Sequence, residues 1–153
     1  MPIAVYSETG PLKKVLLHRP GPELEQLTPP YLSRMLFDDI PYLRGAQREH
    51  DLFAEALKKE GVEVCYLKDM VAQSLTSPEI RAKFIDKFIS EGSPAACHER
   101  QALTALFSSI ESPDALVEKT MAGVTYAESG VYANYPLTRL TRYGLSCSLT
   151  SRS

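Results

Sequence analysis

Residues 42–67 read YLRGAQREHDLFAEALKKEGVEVCYL, and two periodicities meet inside them. Leu43, Ala46, Phe53, Ala54 and Leu57 recur three or four residues apart or side by side, with charges between them, as one apolar stripe on a helix does. Gly61 stands where a helix C-terminus is closed, because glycine enters the left-handed backbone region without a Cβ clash. Val62 to Leu67 (VEVCYL) then alternates or runs apolar in the manner of a strand. The spacing predicts a helix from Tyr42 to Glu60 and a strand behind it.

Upstream, Lys13 to His18 (KKVLLH) is a short apolar run between Gly10-Pro11 and Pro20-Gly21. Both pairs are turn punctuation, so the run reads as a mostly buried strand. The order strand, helix, strand predicts a crossover unit with the two strands parallel. Between the first strand and the helix, Thr28-Pro29 is placed to cap a short helix leading to Met35, Leu36 and Phe37, with Asp38-Asp39 next.

Downstream of Lys68 no further strand is expected for some fifty residues, and Ser-Pro recurs at Ser77-Pro78, Ser93-Pro94 and Ser112-Pro113. Each pair is a helix start: the hydroxyl accepts from an orphan N–H of the first turn, and proline at the first helical position has no N–H to lose. Behind these caps lie apolar stripes. Ile80, Phe84 and Phe88 run with Ile85 and Ile89, then Leu103, Leu106, Phe107 and Ile110, then Leu116, Val117 and Met121. They predict three or four short helices packed as a separate subdomain, with Gly123 as the last stop.

The 153 residues are 44% hydrophobic and 24% charged, which excludes disorder as the default state. A chain of this size buries about two-thirds of its unfolded surface and needs neither disulfides nor a metal to fold. A net charge of -2 argues against nucleic acid as the partner. The longest apolar runs fall far short of a bilayer span, and the N-terminus lacks the plan of a secretory signal, so the expected setting is cytoplasmic, with no membrane. Cys65, Cys97 and Cys147 are too far apart for a metal knuckle and odd in number for a disulfide framework.

The end of the chain differs in charge. Fourteen of the seventeen basic residues and all nineteen acids lie up to Glu128, which gives -5 there and +3 beyond. Residues 129–153 keep no sustained period and are rich in Ser, Thr and Tyr, the reading of a weakly ordered tail.

Individual chemical signals are weak. Asp38-Asp39 fits a solvated turn better than a cation clamp, since chain neighbours point apart. His50 falls in the helix stripe and reads as a core histidine; His18, at the exit of the first strand, reads the same way. Cys97 and His98 are adjacent, hence about 100° apart on a helix, which is poor geometry for a nucleophile and its base. Lys13, Lys14 and Arg19 read as surface charge. No Gly-rich phosphate loop, His-Glu-x-x-His or Gly-x-Ser-x-Gly occurs.

One larger pattern does carry information. SETGPLKKVLLHRPG from Ser7 to Gly21 is followed by Leu27-Thr28-Pro29, by Met35-Leu36-Phe37-Asp38-Asp39, by Ala46-Gln47-x-x-His50-Asp51-x-Phe53 and by Gly61-Val62-Glu63-Val64. In that order and spacing these segments resemble the opening of the bacterial arginine deiminases. The likeness covers about residues 5–128, including a Met121-Ala122-Gly123 similar to the end of that family's helical insert.

The resemblance implies a fold: a partial α/β propeller, made of a first ββαβ-type module with a small helical-bundle domain inserted into it. On this reading residues 1–72 are the module, 73–123 the helical insert and 124–153 a divergent tail. It also implies an activity, the hydrolysis of L-arginine to citrulline and ammonia in arginine catabolism, with no cofactor or metal. In the family a Cys attacks the guanidinium carbon, two Asp hold the guanidinium and a His–Glu pair handles protons. Those parts belong to later segments, beginning with a Phe-Thr-Arg-Asp motif that is missing after Gly123, so the chain is expected to be a truncated and inactive fragment with no catalytic residue of its own.

Gly144-Leu145-Ser146-Cys147-Ser148 is superficially like the family's nucleophile segment. Between Glu128 and Cys147 there is no Asp, Glu or His to orient a base, and a frame shift near residue 128 accounts more simply for the change of composition. The one substrate-binding position carried over is Leu36, whose backbone matches an arginine contact; Asp38 and Asp39 look like supports for its loop. The alternatives are a stand-alone interaction module that associates with itself or with a full-length deiminase, and an arginine-binding protein without turnover.

Overall fold

The structure, a computed structural model, describes residues 5, 7–25, 32, 38–125 and 128. Strand β1 (Lys14–Leu17), the long helix α1 (Leu43–Lys59) and strand β2 (Glu63–Tyr66) follow one another in chain order. The two strands pair in parallel, Lys14 opposite Glu63 and Leu17 opposite Tyr66. This is the expected crossover: parallel strands run the same way, so the chain must travel back between them, and α1 lies in that return.

Helix α1 ends as its sequence predicts. Gly61 takes φ 78° one residue past the last cap, in the left-handed region, and its N–H reaches the Lys58 carbonyl at 3.0 Å. Ala54 and Val62 are buried, and His50 stands beside Tyr66 with ring centroids 5.8 Å apart. Phe53, read from its spacing as part of the stripe, is instead 55% exposed, and neighbouring Leu52 is 58% exposed. The two-stranded sheet is too narrow to cover more than one side of the helix.

Among the described residues five helices follow: α2 (Leu67–Ser74), α3 (Pro78–Ser90), α4 (Pro94–His98), α5 (Arg100–Ser109) and α6 (Pro113–Ala122). The three Ser-Pro starts behave as capping physics requires. Ser77, Ser93 and Ser112 accept from the backbone N–H of Ile80, Ala96 and Ala115 at 3.3, 3.2 and 3.4 Å. Gly123 closes α6 at φ 83°.

Helix α2 had no such signal. It begins at once where β2 ends, with Tyr66 as an N-cap that makes no side-chain bond, and it packs along α6. It runs through residues 72 and 73, so the strand region passes into the helical region inside a continuous helix.

The main core lies among these helices. Ile89, Ala96, Leu103, Phe107, Leu116 and Val124 are fully buried, joined by Ala72, Leu75, Ile85 and Val117. Phe88 meets Phe107 edge to face at 5.6 Å, a favoured arrangement because the positive ring edge faces the negative face. Arg81 ties α3 to the turn before α6 by donating to the Glu111 carbonyl at 2.8 Å. Ile80, expected in the stripe, is 45% exposed at the first turn of α3.

Candidate functional site

The carboxyl ends of β1 and β2 open into a cleft of about 430 Å³ closed on its far side by α2 and α6. Ends of parallel strands are where an α/β sheet leaves room for a ligand, since the loops diverge there. From β1 come His18, Arg19 and the turn Pro20-Gly21-Pro22-Glu23; β2 adds Tyr66, α1 adds Leu43 and Gln47, and Lys68, Asp69, Glu118 and Met121 complete the lining.

The turn after β1 is folded back on itself. The Glu23 carboxylate, only 8% exposed as a residue, accepts the Gly21 N–H at 2.6 Å and faces His18 Nε2 at 2.8 Å. A buried carboxylate needs such partners, because unpaired it loses its hydration without return. A Cβ at position 21 would stand 2.6 Å from Glu23 Oε2, so any larger residue there must push the Glu23 carboxylate aside. Gln47 donates its side-chain amide to the Pro20 carbonyl at 3.0 Å and so ties the turn to α1.

A second tie runs from Arg19 to α1. Its Nε and Nη2 donate to the two oxygens of Asp51, both at 2.8 Å, the two-pronged geometry that a planar guanidinium and a carboxylate share. Hydrogen bonding to Arg19 holds the Asp51 carboxyl below its ordinary range, and the same bonds raise Arg19. Lys14 and Glu63 pair across the sheet at 2.7 Å and shift each other likewise, Glu63 down and Lys14 up. Both pairs are solvated, so they position the chain more than they stabilise it.

The sequence-derived candidates distribute unevenly over this arrangement. Leu36 lies outside the described residues, as do Thr28, Pro29, Met35, Phe37 and Cys147. Asp38 and Asp39 are exposed, and Asp39 accepts from the neighbouring Ile40 N–H at 2.7 Å, a solvated turn. His18 is not a core histidine: its side chain is 40% exposed and held by Glu23. His50 is half-buried against Tyr66, and its Nε2 is buried with no hydrogen-bond partner among the described residues.

Cys97 and His98 do turn apart. The Cys97 thiol faces the Ile89 carbonyl at 3.5 Å, while His98, 86% exposed in its side chain, approaches Glu99 at 3.9 Å. Cys65 Sγ faces the Glu63 carboxylate at 3.7 Å. Among the described residues no group of three or more His, Cys, Asp or Glu could hold a metal ion, and no helix is long and apolar enough to cross a membrane.

The network of His18, Gly21 and Glu23 escaped the sequence reading. Its signal was Pro20-Gly21-Pro22-Glu23 itself: a tight turn with an acid two residues past a glycine can bend its carboxylate onto the turn's amide. The cleft offers carboxylates for a cationic group and positioning bonds for the backbone, and among the described residues no thiol lines it.

Comparison with known proteins identifies the lineage. The arginine deiminase family model matches residues 33–141, beyond Glu128, where the sequence motifs end. An arginine deiminase of Streptococcus equi subsp. zooepidemicus is 58% identical over 127 residues, which is 83% of this chain and 31% of that protein. One from Streptococcus pyogenes is 56% identical over the same length and the same shares. The chain thus spans about a third of the length of the curated relatives it matches. An ordered match to the family model over most of the chain, and this identity to its curated members, leave one conclusion: the chain belongs to the arginine deiminase family.

Proposed function

We propose that the chain contributes to arginine deimination, the hydrolysis of the guanidinium C–N bond of L-arginine to give citrulline and ammonia, as one part of a larger catalytic body. The observation that carries this reading is the 58% identity over 127 residues to a protein named arginine deiminase. On this reading residues 1–72 are the first module of an α/β propeller, 73–123 its helical insert and 124–153 a divergent tail. The substrate contact is the Leu36 backbone, Asp38 and Asp39 support its loop, and the setting is cytoplasmic.

The geometry supports a positioning role. Arg19–Asp51 and Gln47–Pro20 fasten the segment after β1 to α1, which fixes both ends of the 20–42 connection that carries Leu36. Attack on a guanidinium needs a thiolate beside cationic groups. Among the described residues neither Cys65, beside Lys14 and Glu63, nor Cys97, facing backbone carbonyls, lines the cleft, so on this reading neither is the nucleophile. The pure chain given L-arginine is expected to release neither citrulline nor ammonia. Citrulline formation that disappears in Cys147→Ala would overturn the inactive half of this reading.

A second reading is a non-catalytic interaction module that associates with itself or with a full-length deiminase. The exposed apolar side chains around β1 and α1, Leu12, Leu16, Leu52 and Phe53, favour it. Light scattering that finds only a well-folded monomer, alone and beside a deiminase, would remove it. Calorimetry with L-arginine tests simple binding without turnover.

A further inference from the structure

Five charged side chains line the cleft beyond the carboxyl ends of β1 and β2: Arg19, Glu23, Lys68, Asp69 and Glu118. Three of them are compensated. Arg19 gives Nε and Nη2 to Asp51, which is not part of the lining, and Lys68 stands 3.9 Å from Glu118. Glu23 and Asp69 remain. Asp69 is exposed in the first turn of α2, and no hydrogen bond or ion pair reaches its carboxylate among the described residues. The Glu23 side chain is only 10% exposed, and both of its bonds, from the Gly21 N–H and with His18 Nε2, fall on Oε1. Oε2 is left without a partner among the described residues, although a carboxylate withdrawn from water needs donors on both oxygens. With His18 neutral, the cleft carries two unmatched negative charges, one on the turn after β1 and one on the helix that closes the far side.

We propose that the cleft binds a linear aliphatic diamine, with its two ammonium groups seated on Glu23 and Asp69 and its methylenes against the apolar part of the lining. An ammonium group brings three N–H donors and no acceptor, which suits an oxygen that has no donor of its own. A hydrocarbon chain between two such ends needs apolar wall, and Leu43, Met121 and the Tyr66 ring supply it in the same cleft. A compact divalent ion is the other form of double positive charge, and it requires several oxygens converging on one point. Among the described residues no group of three or more His, Cys, Asp or Glu is so placed. A singly charged amine would satisfy one carboxylate and leave the other as it is. The inference goes beyond the catalytic reading, whose substrate contact lies at Leu36, and does not depend on it.

The test is titration calorimetry on the full chain at about pH 8, above the ordinary histidine range, and at low ionic strength, where charges are least screened. The titrants are 1,4-diaminobutane, 1-aminobutane, magnesium chloride and L-arginine, each alone. The diamine is expected to bind one to one and at least tenfold more tightly than any of the other three. Asp69→Asn, at an exposed side chain that bonds to nothing described, should weaken the diamine at least fivefold, and Glu23→Gln should weaken it as much. Asp86→Asn, which alters an acid of α3 outside the cleft, should leave the affinity as it is. No binding of the diamine overturns the proposal outright. Equal affinity for diamine and monoamine overturns the two-ended site, and magnesium or L-arginine bound as tightly as the diamine overturns the ligand class. A loss in Asp86→Asn as large as that in Asp69→Asn shows attraction by the whole surface and overturns the cleft as its place. A chain that makes no citrulline changes none of these outcomes, so the two readings fail separately.

Discussion

Between Ala72 and Val124 ten apolar side chains close into one buried cluster, whereas over residues 14–66 the buried apolar residues among those described are Ala54 and Val62. The strand half is held by other means. Lys14–Glu63, Arg19–Asp51 and His18–Glu23 all belong to it, as does the Gln47 bond to Pro20. Hydrogen bonds and exposed ion pairs fix where a chain goes but add little net stability, because water competes for the same groups. The helical half closes on its own apolar side chains; the strand half, among the described residues, is arranged by polar ties instead.

The sharpest way to break this contrast is to empty each half in turn. Phe107→Ala removes a fully buried ring that touches Phe88 and should cost about 3–5 kcal/mol, read as a lower urea midpoint by circular dichroism. Leu16→Ala should cost less than about 0.5 kcal/mol in the lone chain. Comparable losses at the two positions would show that the sheet face is buried after all.

A middle-sized effect sharpens the picture of the helical half. Ser77→Ala and Ser112→Ala each remove an acceptor from a first-turn N–H and should each cost about 1 kcal/mol. Thermal melts of the double variant check whether the losses add, as they should for caps on different helices.

The smallest effect belongs to the strand half and depends on pH. Because Arg19 depresses the Asp51 carboxyl in the folded chain, its contribution is fully present above the ordinary value of 3.8 and is lost as pH falls through the lower folded value. Asp51→Asn should flatten that acid limb slightly without moving the melting curve of the helical block. An unchanged limb would mean that the tie to α1 carries no weight in solution.

Much of this division was legible in the sequence, and the rest failed for identifiable reasons. The Ser-Pro caps, Gly61 and Gly123 worked because they are local signals, each set by one or two backbone groups. The parallel pairing of β1 with β2 followed from order alone. Periodicity misjudged Phe53 and Ile80 because it tells which face of a helix is apolar and not whether anything lies against it. Helix α2 was invisible since it starts without a break from β2 and without a capping side chain. In the cleft, the Glu23 turn was missed because its partners, His18 and Gly21, are brought to it by a bend that no stripe or alternation records.

The direct passage from Tyr66 in β2 to Leu67 in α2 leaves no residue of slack between sheet and helix. Unless the backbone dihedrals of Tyr66 and Leu67 themselves change, such a joint passes orientation on. A tilt of β2 is carried into α2, and from α2 into α6, along which it lies. The helical block thereby shares its orientation with the sheet, and a spectroscopic label on α6 would report from a distance a change made at β2.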